Sequence, residues 1–342
     1  MKKKPSPVAV LISDVHYNVH TLPIADAALR QAITKANELE VPIVVAGDLH
    51  DTKANLRAEC VNAMIETFKT CDLRATVIVG NHDKINEKSQ EHSLNFMEEY
   101  VNFIVNKPQK FSVELDTGEF DLGYCVPYYS DAEELRAYLK TVPAGSRLIM
   151  HQGLQGSNSG EYIQDKSAIN HEDVANFRVI SGHYHTRQDI RTGRPQKGHV
   201  GLWSYIGNPY TLNFAEANDP EKGFQVLYSD GSLEFVPTNL RKHVIWNEYV
   251  GENRDQPSVG PDDIWWIKMH GTREQLAGFT KDKVPTNKPF KLTLEYLDSN
   301  VNSNEVKTSQ TQTEILDSLI ESLTNTSPEC KTRLKETWRG LR

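Results

Sequence analysis

A chain of 342 residues, 38% hydrophobic and 25% charged, has the composition of an ordinary soluble protein, long enough for one large core and a smaller second domain. A formal net charge of −8 excludes a general attraction to nucleic acid or anionic membrane but leaves room for a local basic groove. The four cysteines (Cys60, Cys71, Cys125, Cys330) lack CxxC or CxxxC spacing, which argues for free thiols in a reduced cytoplasmic setting and against a disulfide framework.

The basic start Met1–Lys4 is followed by a short apolar run, Val8–Ile12, that leads straight into Asp14. A first β-strand is expected there rather than a signal peptide, and no segment is long and apolar enough to span a membrane. Leu22, Ala25, Leu29, Ala32, Ile33 and Ala36 recur at helical spacing, with Pro23 near the helix start. Pro42 opens a second strand, Ile43–Ala46; Leu56, Cys60, Val61, Met64, Ile65 and Phe68 make the apolar side of a second helix; Ala75–Val79 is a third strand. This alternation implies βαβ crossovers and a largely parallel sheet. Glu91–Tyr100 is expected to be a further helix.

From Phe111 the pattern becomes hairpin-like, with Phe111–Leu115 and Phe120–Cys125 flanking the turn Asp116–Glu119. A helix over Asp131–Leu139, strands at Arg147–Met150 and Arg178–Ser181, and a Gly/Ser-rich loop over Gly153–Lys166 follow. That loop either lines a crevice or lies on the surface. Further strands at Gly201–Ile206, Gly223–Tyr228 and Leu233–Val236 imply two sheets packed as a sandwich with helices outside. The expected fold is thus α/β, a two-sheet βαβ sandwich over residues 1–240. Gly251–Asp262 has linker composition, and Ile264–Met269, a helix from Thr272 and Phe290–Tyr296 form a small α+β module within residues 241–307. Residues 308–342 read as terminal helices, whose Leu334, Trp338 and Leu341 lie on one face suited to docking on a partner or on the chain's own body.

Five apolar runs end in Asp, Asn or His: Val10–His16, Val44–Asp48, Val77–Asp83, Leu148–His151 and Val179–His185. Polar groups at the ends of buried strands converge on a common crevice. Asp14 and His16, two apart, would share one side of a strict strand. With Asp48, Asn81, His151, His183 and His185 they make seven oxygen and nitrogen donors and no thiolate, a set that suits Mn²⁺, Fe²⁺ or Zn²⁺ better than an oxygen-only Mg²⁺ site. Two such ions about 3.5–4 Å apart can turn water into a nucleophile and hold phosphate oxygens for in-line attack.

Asp14-Val15-His16, Gly47-Asp48, Gly80-Asn81-His82-Asp83, His151 and Gly182-His183-Tyr184-His185 resemble the five ordered motifs of the calcineurin-like metallophosphoesterases. The resemblance implies that Asp14, His16 and His185 bind one metal, that Asn81, His151 and His183 bind a second, and that Asp48 bridges them. It makes His82 the residue that contacts the scissile phosphate, with Asp83 orienting it. Tyr205-Ile206-Gly207-Asn208-Pro209, Phe214-Ala215-Glu216 and Lys222-Gly223 are similar to a segment of the Mre11/SbcD nuclease subunits, although Asn208 stands where that family usually has Ser. Gly47-Asp48-Leu49-His50-Asp51 also departs from it, since an aromatic residue often precedes the last Asp. The chain length is near that of compact phage-encoded members. The resemblance implies a DNA exo- or endonuclease of DNA end processing with two divalent ions, Mn²⁺ foremost (Mg²⁺, Fe²⁺ or Zn²⁺ as alternatives). It also implies a small capping domain, a Rad50/SbcC-type ATPase partner and homodimerisation as an option.

Three functions share these residues: the nuclease, a stand-alone phosphoesterase acting on nucleotides or phosphoprotein, and a scaffold subunit with a degenerate site. His20 and His50 either contact substrate or are ordinary polar positions. Arg187, Arg191, Arg194 and Lys197 either contact DNA phosphates or form a solvated loop. Asn208 with Pro209 either shapes a turn or acts beside the metals.

Overall fold

The computed structural model describes residues 4–53, 55–86, 88–89, 91–115, 118–158, 167–192, 201–252, 260, 262–279, 290–297 and 331–332. Two six-stranded sheets form the body. The first has the order β12 (Leu233–Pro237), β11 (Gly223–Tyr228), β1 (Pro7–Ile12), β2 (Ile43–Ala46), β3 (Thr76–Ile78) and β4 (Phe103–Val105). The second runs β5 (Gln109–Leu115), β6 (Gly118–Val126), β7 (Arg147–His151), β8 (Arg178–Gly182), β10 (Leu202–Tyr205) and β9 (Gln188–Arg191). The β1–β4 ladder is parallel, as is the β6–β7–β8–β10 ladder, so their C-terminal ends are presented in common.

The strands read as unbroken apolar runs because both faces of each sheet are covered. Leu11, Val44, Ala46 and Ile78 of the first sheet meet Leu122, Cys125, Ile149 and Ile180 of the second in the layer between them. The alternate residues Val10, Ile12, Val45 and Val77 pack against α1 (Leu22–Leu39) and α2 (Ala58–Phe68). On the far side Leu148, Met150 and Val179 pack against Leu135 and Leu139 of α3 (Ala132–Leu139), whose N-terminus is capped by the Asp131 carboxylate. The body is therefore the expected two-sheet sandwich flanked by helices.

Several local expectations change. Glu91–Tyr100 is not a helix; only Asn95–Met97 makes a 3₁₀ turn, because Ser93 donates both its N–H and its hydroxyl to the Asp83 carbonyl. β4, β9 and a third-sheet strand, β13 (His243–Tyr249), are additional to the expected strands. That third sheet is parallel, in the order β13, β14 (Ile264–Gly271), β15 (Phe290–Tyr296), with the one-turn α4 (Arg273–Leu276) opened by a Thr272–Gln275 capping box. Gly251–Asp262 accordingly connects two strands of one sheet rather than linking two bodies. The third sheet meets the body through His243, whose N–H donates to Thr211 Oγ1 at 2.8 Å, and through Trp266, edge-on to Phe214 with centroids 5.6 Å apart. The terminal helices expected over 308–342 lie outside the described residues apart from 331–332. Among the described residues no helix is long and apolar enough to cross a membrane.

Candidate metal centre

All seven expected donors come together where β1, β2, β3, β7 and β8 end. The first two do so by a different route from strand alternation. β1 stops at Ile12, and Asp14 and His16 both adopt left-handed backbone, with φ of 53° and 51°. Asp48 (φ 50°) and His183 (φ 88°) do the same. Left-handed backbone is unfavourable for residues with a Cβ and collects at functional sites. Here neighbouring backbone holds it: Asp14 and His16 donate their N–H groups to the carbonyls of Gly47 and Asp48 at 3.1 Å, zipping the two motif loops together. Gly47, at φ 90°, must be glycine, since a Cβ there would overlap the ring of His151.

The donors fall into two groups that share one carboxylate. In the first, His16 Nε2 lies 3.2 Å from His185 Nε2 and 4.0 Å from Asp14 Oδ1. In the second, Asn81 Oδ1 lies 3.0 Å from His151 Nε2 and 2.9 Å from His183 Nδ1. Asp48 Oδ2 stands between them, 3.9 Å from His16 Nε2 and 3.1 Å from His151 Nε2.

The outer ring atoms fix which nitrogen faces inward. His185 Nδ1 donates to Glu216 Oε1 at 2.8 Å, and His151 Nδ1 donates to the Ala46 carbonyl at 2.8 Å. His16 Nδ1 lies 3.2 Å from Asp51 Oδ1. For His185 and His151 these bonds leave Nε2 directed at the other donors. His16 and His185 bring their Nε2 atoms to 3.2 Å from one another, and His151 Nε2 lies 3.1 Å from Asp48 Oδ2 and 3.0 Å from Asn81 Oδ1. Such crowding is repulsive unless a proton or a cation is shared among the donors. Without a cation the proton takes that place. Burial by itself would lower the His151 pKa, but Asp48 and Asp14 outweigh it and push it up to about 9. Burial would likewise raise Asp48, yet His151, His82 and His16 hold its carboxyl well below the usual range. The mixed oxygen and nitrogen donors, their burial and their fixed tautomers fit a pair of divalent cations.

His82 is not among these donors. Its backbone N–H donates to Asp48 Oδ1 at 2.8 Å, and its ring Nδ1 meets the Asp51 carbonyl at 2.6 Å. Its ring stands edge-on to that of His16, centroids 4.9 Å apart. The resemblance gave the orienting task to Asp83, but the structure gives that carboxylate different partners. Asp83 is fully buried and accepts from the backbone N–H groups of Gly80, at 2.8 Å, and His50, at 2.9 Å. Asp83 thus fastens the motif loops to each other, while the Asp51 carbonyl holds the His82 ring. Burial and the nearby Asp48 push the Asp83 carboxyl up to about 6. His50 is buried behind this loop and His20 is exposed.

Two supporting carboxylates escaped the sequence reading. Asp51 ends the Gly47-Asp48-Leu49-His50-Asp51 segment, and nothing in its spacing points to His16. Glu216 had appeared only as part of a similar segment, and the structure supplies its reason. Glu216 Oε2 accepts from Asn208 Nδ2 at 2.9 Å and from the Leu212 N–H at 3.1 Å, while Lys222 Nζ lies 3.3 Å away and also donates to the His185 carbonyl at 3.0 Å. The Asn208, Glu216 and Lys222 positions are one buried network behind His185. Burial would raise the Glu216 carboxyl, but His185, Lys222 and Asn208 hold it down to about 2. Of the basic residues after the motif, Arg187 stacks on the Phe235 ring at 4.1 Å, and Arg194 and Lys197 lie outside the described residues.

The family model described as calcineurin-like phosphoesterase matches residues 8–187. Over 212 residues the chain is 27% identical to exonuclease subunit 1 of Enterobacteria phage T4, an alignment covering 58% of this chain and 56% of the phage protein. The chain therefore spans about half the length of the curated relative it matches.

Proposed function

Since that match takes in more than half of the chain, the protein belongs to the calcineurin-like phosphoesterases, and from that premise we propose that it is a metal-dependent DNA nuclease. The observation that carries the hydrolase chemistry is the convergence of two groups of nitrogen and oxygen donors on the Asp48 carboxylate. The likeness to a phage exonuclease subunit supports DNA as the polymer.

In this reading Asp14, His16 and His185 hold one divalent cation, Asn81, His151 and His183 hold another, and Asp48 serves both, with Mn²⁺ the favoured ion. The cations supply Lewis-acid polarisation of phosphoryl oxygens and a lowered pKa for water. The chain's own residues do the rest. Glu216 and the Ala46 carbonyl keep His185 and His151 in the tautomer that leaves Nε2 free. His82, its Nδ1–H fixed on the Asp51 carbonyl, keeps Nε2 towards the scissile phosphate; when that nitrogen also carries a proton it can pass it to the departing sugar oxygen. Residues 1–240 form the nuclease body and 241–307 a cap. Residues 308–342 dock a Rad50/SbcC-type ATPase in the cytoplasm, a reading supported by the word subunit in the relative's name and by the spacing of Leu334, Trp338 and Leu341 in the sequence.

The test is the purified chain with Mn²⁺ on labelled single- and double-stranded DNA and on mononucleotides. Cleavage of the polymers supports the proposal. Hydrolysis confined to nucleotides would replace it with the stand-alone phosphoesterase, and inactivity towards every diester with Mn²⁺, Co²⁺ or Ni²⁺ would leave only the scaffold.

A further inference from the structure

Two residues beyond His82, Lys84 carries an ammonium group that the metal chemistry leaves unused. Its side chain is 3% exposed, yet among the described residues no carboxylate lies within ion-pairing distance of Nζ. The group donates to the Tyr128 carbonyl at 3.3 Å and sits 5.5 Å from the centre of the Tyr128 ring. Burial pulls its pKa below the ordinary lysine value, with Glu134 acting weakly the other way. A buried cation with no carboxylate in direct contact is unfavourable unless a ligand supplies one.

Where such a ligand would sit is visible. Lys84 lines a pocket of about 670 Å³, shared with Lys88, Tyr129 and Gln155. Asp131, Glu133 and Glu134 line it too: Asp131 caps α3, Glu133 is engaged by Arg136, and Glu134 is the carboxylate whose charge reaches Lys84 without pairing with it. The Tyr128 ring also neighbours the donors of the second group, 5.6 Å from the His183 ring and 6.3 Å from the His151 ring, centroid to centroid. The lysine and the metal centre therefore neighbour the same aromatic ring. The wall is braced to the same strands: the Tyr128 N–H donates to the Val79 carbonyl at 2.9 Å, and the Tyr129 N–H donates to Gln152 Oε1 at 3.1 Å.

We propose that Lys84 and its pocket form a subsite for the phosphate next to the scissile one, so that the strand leaves the metal centre across Tyr128 and places its neighbouring phosphate on the buried ammonium. The subsite rests on the phosphodiesterase reading and deepens it, because it selects a polymer over an isolated diester. A fixed cation paired with one phosphate adds one counterion's worth of salt dependence.

The experiment uses the full chain with Mn²⁺ and two chromogenic isomers, thymidine 5′-(p-nitrophenyl phosphate) and thymidine 3′-(p-nitrophenyl phosphate). Each is assayed with and without a phosphate on its other hydroxyl. The wild type is expected to prefer the doubly phosphorylated form of one isomer about tenfold in kcat/KM. Lys84→Met should collapse that preference to about twofold or less, Lys84→Arg should keep most of it, and manganese content should match the wild type in both. The preference should also fade with added salt in the wild type and not in Lys84→Met. A wild type that hydrolyses both forms equally would overturn the subsite and leave the phosphodiesterase reading standing. An equal loss on both forms in Lys84→Met would overturn it too, showing that the lysine only braces Tyr128. Failure of the wild type on every diester would overturn both readings. A preserved phosphate preference with no DNA cleavage would remove the polymer assignment and keep the subsite.

Discussion

Replacing Glu216 with Gln separates the two halves of the metal centre. The substitution keeps the shape of the side chain and the acceptor facing His185 Nδ1, now 2.8 Å from a charged oxygen. It removes the negative charge, and it turns a donor towards Asn208 Nδ2 and Lys222 Nζ, which now lie 2.9 and 3.3 Å from Oε2. Loss of such an outer carboxylate typically weakens a metal site about 10–100-fold, or about 1.4–2.7 kcal/mol. The weakening should be confined to the site holding His185, since the orientation of His151 comes from the Ala46 carbonyl. Calorimetric titration of chelator-treated protein with Mn²⁺ should therefore show one site weakened and one unchanged. Stability carries a second signature. The fall of the Glu216 pKa from 4.5 to about 2 corresponds to about 3 kcal/mol. Because the folded-state value is the lower one, that contribution is present above pH 4.5 and is lost as pH falls towards 2. Urea unfolding of the variant should be displaced most at pH 6–7 and converge on the wild type in acid. Equal weakening of both sites, or no change at either, would refute this division of labour.

His82→Ala should leave both metals bound, because the backbone N–H and not the ring holds Asp48, while hydrolysis falls by about 10²–10⁴-fold, or about 3–5 kcal/mol of barrier; elemental analysis beside the rate assay checks it. Asp48→Asn should lower metal content and rate together, as both groups of donors lose their shared carboxylate, and retention of two tight ions would contradict the bridging role. Adding Mn²⁺ to the metal-free wild type at about 100 times the dissociation constant should raise stability by about 2.7 kcal/mol per site, read as a shift of the denaturation midpoint, and Asp48→Asn should lose most of that gain. Gly47→Ala combines left-handed backbone with a Cβ driven into the His151 ring; a loss of about 3 kcal/mol or more in urea unfolding is expected, and a stability equal to wild type would show that the loop yields.

The two groups of strands were enough to assign a two-sheet α/β sandwich, and the apolar runs ending in Asp, Asn or His to gather seven donors into one crevice, while the family resemblance singled out Asp48 as the common one. Those features are local: a buried strand must be apolar along its length, and the first polar residues after it mark where burial stops. Tertiary structure decided the rest. The pairing of Asp14 and His16 came from left-handed turns zipped to the Gly47–Asp48 loop, not from strand alternation. Asp83 turned inward to two backbone N–H groups because it is buried beside Asp48, and the ring of His82 passed to the Asp51 carbonyl. Glu216 found His185 across 31 residues, and Lys84 came to lie one ring away from His183. Glu91–Tyr100 lost its helix to hydrogen bonds with the Asp83 carbonyl. Which partner a polar side chain takes depends on the atoms that long-range packing brings within about 3 Å, and short-range pattern carries no information about them.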